Sequence, residues 1–158
     1  MNRDLLKKDR MRFVKNKASA NLAYLAIVFN VLYFISIYSS DVGNYYYSIM
    51  IGVSVVYNLL FLLSTFLSSE GLKRYKLSYA IVITVVGVLQ LVRIFGFPMG
   101  AINEVTSDGA RVMEVGQFIY TVAMLCLSAA AAVASGVIGI VRTKALEKYN
   151  QSLSHHEA

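Results

Sequence analysis

Arg93 is the one full charge inside the long apolar tracts that fill the middle of this chain, and Gln90 stands one turn before it on the same helical face. Asn30 and Asn58 lie near the centres of two other tracts, so four polar side chains occupy positions that water would not reach. A guanidinium and three carboxamides can bind one another, hold a polar ligand, or line a path for a polar substrate. On antiparallel neighbours Asn30 and Asn58 would meet, with Thr84 or Gln90 close by; interhelical bonds of this kind contribute about 0.6 kcal/mol each. Arg93 lies about one turn from Phe97, close enough to a tract end for its guanidinium to reach headgroups at little cost. The expectation is therefore a snorkelling arginine and a structural set of hydrogen bonds. An inward-facing arginine, with Glu114 or Asp41 as ionic partner, is the sharper alternative.

Other chemistry is thinly represented. His155 and His156 fall at the end of the sequence, so neither can ligate a haem from within the tracts, and with Glu157 they are a weak metal signal. Cys126, the single cysteine, sits in an apolar run, where the expected role is that of a small buried apolar residue. No tract contains aspartate or glutamate, which argues against proton-coupled export. Small multidrug exporters need a carboxylate in their first span, where this chain has Asn30. Neither a nucleotide-binding glycine loop nor a serine-nucleophile motif occurs. The expectation is a protein that is not an enzyme and holds no cofactor and no metal.

The elements that must position these residues are four apolar spans, 20–38, 45–67, 77–97 and 118–141, each near the ~20 residues that cross a bilayer as a helix. Apolar residues make up 57% of the 158 and charged residues 15%, too few to give such tracts a wetted surface. Continuous runs such as Asn58-Leu59-Leu60-Phe61-Leu62-Leu63 do not alternate as barrel strands would. The fold class is all-α, an integral membrane bundle of four transmembrane helices. A basic arm, 1–19, precedes it and a tail, 142–158, follows.

Of the 15 lysines and arginines, all but Arg93 and Arg111 fall in the arm, in the connection between spans two and three, or in the tail. That asymmetry predicts both termini on the cytoplasmic side, with multi-pass insertion in the plasma membrane. Net charge +6 placed beside apolar spans points to an anionic inner leaflet rather than to nucleic acid. Ser39 to Asn44 reads as a tight outer turn and Ser68-Ser69-Glu70-Gly71 as an inner one. Tyr24, Tyr38, Tyr45-Tyr46-Tyr47, Tyr75 and Tyr79 mark the water boundaries. In the arm, Leu6 and Phe13 share a face, as on a helix lying at the surface.

Span four is rich in small residues. Ser128, Ala132 and Gly136 fall four apart, as do Ala131, Ser135 and Gly139, forming two adjacent stripes that let another helix approach closely. The span is expected to pack on protein over a broad face, either in its own bundle or against another membrane protein or a second copy. Two roles follow: an accessory or assembly subunit of a larger membrane complex such as a transporter, or a small homo-oligomeric transporter or channel lined by the four polar residues.

Overall fold

The computed structural model describes residues 3–38, 50–96, 98–105 and 109–154. The 39–44 turn with Asp41, the Tyr45-Tyr46-Tyr47 run, Phe97, His155 and His156 lie outside them. Six helices make up the described chain: α1 (Arg3–Phe13), α2 (Lys17–Tyr38), α3 (Met50–Lys73), α4 (Leu77–Gly96), α5 (Pro98–Asn103) and α6 (Val115–Ser154). An isolated antiparallel bridge joins Val105 to Arg111. Helices α2, α3 and α6 are long and apolar enough to cross a membrane, and so is α4 with the apolar residues after it.

Helix α6 is the packing centre, in contact with both α2 and α4, while α3 packs on α2 and α4 instead. A helix with two close neighbours needs small residues on two faces, and α6 has them. Ser128, Ala131, Ala132, Ser135, Gly136 and Gly139 are all buried within this single chain. Toward α2, the Ser128 hydroxyl donates to the Ala26 carbonyl at 2.9 Å and the Ser135 hydroxyl to the Ser19 carbonyl at 2.7 Å. Toward α4, a Cβ on Gly136 would overlap the Thr84 hydroxyl and lie 2.8 Å from the Ala80 carbonyl oxygen. One on Gly139 would overlap Leu72. The stripes are thus occupied by α2, α4 and the end of α3.

Helix α6 has 40 residues, about 60 Å at 1.5 Å per residue and twice the thickness of bilayer hydrocarbon. It runs through Arg142–Ser154, where the sequence suggests only a tail. Lys144-Ala145-Leu146-Glu147-Lys148 are good helix formers and no glycine or proline interrupts them. Helix α3 likewise continues beyond the expected turn at 68–71, as far as Lys73. Gly71 serves contact rather than bending, because any Cβ there would overlap the Tyr79 ring. The chain reverses instead at Tyr75, whose φ of 54° is left-handed. The Tyr75 N–H bonds Leu72 O and the Lys76 N–H bonds Gly71 O, both at 3.1 Å, the paired bonds of a Schellman cap.

Asn16 caps α2, its Oδ1 accepting from the Ser19 N–H at 3.5 Å while its own N–H donates to Lys73 O at 3.2 Å. Tyr24 donates to Glu70 at 2.9 Å, and Lys73 bonds both of them. At the other end α5, Met113 and Ala101 close over Tyr33, Ile37 and Leu125 in a second apolar cluster. Outward faces are apolar along their length, with Val53, Val56, Leu59 and Leu63 of α3 and Val85, Val92 and Phe95 of α4 all exposed. Cys126 also lies on this outer surface rather than in the core. It sits on the strip of α6 that faces neither α2 nor α4.

Candidate functional site

Four helices deliver polar side chains to one point. Asn30 comes from α2, Ser54 and Asn58 from α3, and Gln90 and Arg93 from α4; Ser128 joins them from α6. None of the six is more than 6% exposed. The Asn30 amide donates to Asn58 Oδ1 at 3.2 Å, and the Asn58 amide donates to the Ser54 carbonyl at 2.9 Å. Gln90 donates to Asn30 Oδ1 at 2.8 Å and to the Ser128 hydroxyl at 3.3 Å.

Arg93 closes the set. Its Nη1 donates to Asn58 Oδ1 at 2.8 Å and to Asn30 Oδ1 at 3.4 Å, and its Nη2 to the Ser54 hydroxyl at 3.3 Å. The guanidinium carbon lies 4.3 Å from the Tyr33 ring centroid and 4.8 Å from that of Tyr57. A desolvated cation between ring faces gains about 2 kcal/mol or more from each quadrupole, which offsets part of the cost of burying the charge. Planarity matters here, since a guanidinium can stack on rings and bond in its own plane at once.

The inward course of Arg93 departs from the snorkelling expectation, and the reason lies in helix geometry. Each Cα–Cβ bond of an α-helix tilts toward the N-terminus, so the side chain leans back toward Leu77 and away from the nearby end at Gly96. Glu114 is exposed, and Thr84 donates to the Ala80 carbonyl at 2.8 Å, outside the set. Of the polar residues singled out from sequence, Asn30, Asn58, Gln90 and Arg93 converge here. The small-residue positions supply one member, Ser128, while Ala131, Ala132, Ser135, Gly136 and Gly139 serve packing.

Tyr33, Tyr57 and Ser54 are site residues the sequence reading passed over. Their signal is spacing: Tyr33 follows Asn30 by three residues and Ser54 precedes Asn58 by four, so each shares a helical face with an asparagine, while Tyr57 follows Ser54 by three. The Gln90 Oε1 is buried with no hydrogen-bond partner among the described residues. Above the set, Met113 and Ala101 are fully buried against Tyr33, and Gln117 donates to the Ser36 carbonyl at 3.1 Å, tying the loop and α6 down over it. Chemically the arrangement is a sealed junction of hydrogen-bond donors and acceptors, with neither a nucleophile–base pair nor a metal-ligand cluster among the described residues. Comparison with protein-family models, curated proteins and solved structures found no match.

Proposed function

We propose that this chain is a non-catalytic multi-pass membrane protein, an accessory or assembly subunit of a larger membrane complex such as a transporter. In this reading α2, α3, α4 and α6 cross the plasma membrane with both termini cytoplasmic, as the distribution of lysine and arginine favours. The carrying observation is the closure of the polar set: side chains that could line a path bond one another instead, none more than 6% exposed. A partner helix, or a second copy, can approach α6 without displacing its neighbours along the exposed line Ile119, Cys126, Ala130, Val137 and Val141. Cys126 and Ala130 are small enough to allow close approach there.

A second reading, a small homo-oligomeric transporter or channel, is favoured by the unpartnered Gln90 Oε1. A buried carbonyl oxygen without a hydrogen-bond partner among the described residues offers a place for water or a polar ligand. Purification from membranes in mild detergent separates the two. The subunit reading expects a foreign membrane protein at fixed stoichiometry, and a homogeneous homo-oligomer would count against it. Oxidation at Cys126 adds a direct probe, because copies joined along α6 would cross-link into disulfide dimers.

A further inference from the structure

Where the apolar stretch of α6 gives way at Arg142, α1 and the residues after it fold back and form an open cavity of about 490 Å³. Lys7, Arg10, Lys15 and Arg142 line it, and no carboxylate does among the described residues. Its size falls in the ~300–1,000 Å³ range of ligand pockets. Four like charges around one concavity repel each other until an anion enters.

The walls are built rather than accidental. Arg142 Nη1 donates to Asn16 Oδ1 at 2.8 Å, and Asn16, 1% exposed, is itself fixed by its bond to the Lys73 carbonyl. The Tyr75 hydroxyl donates to the Val14 carbonyl at 3.1 Å, pinning the segment after α1 to the α3–α4 turn. Met11, Val14 and Tyr75 make up the apolar share of the lining. Phe13, 80% exposed, precedes the lining residue Val14 in the chain and Val141, 62% exposed, precedes Arg142, which puts the cavity at the margin of the outer apolar belt. If the helices span a bilayer, that margin is the depth of lipid phosphates.

Resting on that membrane-spanning reading, we propose that this cavity binds the phosphate headgroup of an anionic phospholipid, preferring a dianionic headgroup to a monoanionic one. The cations meet the phosphate oxygens, and the apolar wall meets the glycerol and first methylenes.

The test uses the full chain in neutral detergent, titrated with short-chain phosphatidic acid, phosphatidylglycerol, phosphatidylcholine and inorganic phosphate. Binding is read by thermal shift and native mass spectrometry. Phosphatidic acid is expected to bind most tightly, phosphatidylglycerol less so, and phosphatidylcholine and free phosphate only weakly. Arg10→Gln with Lys15→Gln, both exposed positions that leave the packing alone, should raise the half-saturating lipid concentration about 30-fold. Lys17→Gln with Lys144→Gln removes the same charge outside the cavity and should change it less than about 3-fold. Unliganded melting temperatures equal to that of the parent chain establish that both variants fold. Equal losses from the two pairs would reduce the effect to general surface charge and overturn the assignment. So would inorganic phosphate binding as tightly as lipid, or phosphatidylcholine matching phosphatidic acid. A chain that stays in solution without detergent refutes the membrane reading instead, whereas one that needs detergent but shows no pocket-dependent selectivity refutes this inference alone.

Discussion

Along α4 every side chain leans back toward Leu77, and at Arg93 that lean separates a headgroup contact from a buried one. The guanidinium reaches Asn58 Oδ1 at 2.8 Å and lies against two tyrosine rings. Asn58→Leu leaves that charge buried without its best acceptor and should destabilise the bundle by about 1.5–3 kcal/mol. Arg93→Met removes the charge and leaves Asn30 and Asn58 bonded to each other, so it should cost under about 1 kcal/mol. Denaturant unfolding in detergent micelles measures both, and a larger loss for Arg93→Met would contradict this account. Arg93→Lys should resemble Asn58→Leu in cost, because an ammonium cannot serve both rings and both asparagines from one plane. The polar atoms were legible in the sequence because hydrocarbon makes any polar residue conspicuous. Tyr33 and Tyr57 were not, because tyrosine in an apolar span reads equally well as a boundary marker, and only the spacing of Tyr33 from Asn30 and of Tyr57 from Ser54 distinguishes them.

At the scale of elements, the four apolar helices could be read directly, since length and hydrophobicity are properties of each tract alone. Which helix stands at the centre is a property of the set. The stripes of α6 announced close packing without saying on what, and α2 and α4 fill them. Gly136→Leu with Ala132→Leu should therefore damage the isolated chain itself. Overpacking at each position costs about 1–3 kcal/mol, and the melting temperature in detergent should fall accordingly. A normally folded double variant would mean that the helices do not approach this closely.

The α3–α4 turn makes a second prediction. Tyr75 holds a left-handed φ that costs a non-glycine residue about 1–2 kcal/mol, yet its hydroxyl anchors Val14. Tyr75→Phe should loosen α1, seen as faster amide exchange over Arg3–Phe13, whereas Tyr75→Gly relieves the backbone but loses the same anchor. Burial pushes the Tyr75 hydroxyl above its usual value, against the lowering pull of Arg142. A raised acid favours the folded state while protonated, so its contribution is intact below pH ~10 and lost as alkaline pH passes the raised value.

For the whole molecule, the distribution of basic residues makes the most exposed claim. Reporter tags at the two ends should both be cytoplasmic, and opposite compartments would defeat the proposed topology. Within the fold, the set around Arg93 meets α6 at Ser128 and the basic cavity meets it at Arg142, about 21 Å further along one uninterrupted helix. Between Ser128 and Ser154 α6 has no proline, and its two glycines there, Gly136 and Gly139, are clamped by α4 and Leu72. That makes α6 a stiff lever. Pivoted near Ser128, its arm to Arg142 is about 21 Å, so a tilt of about 5° there moves Arg142 by about 2 Å. A tilt of α6 that loosened the lid over Tyr33 would therefore carry Arg142 with it, and so the wall of the cavity that Lys7, Arg10 and Lys15 share.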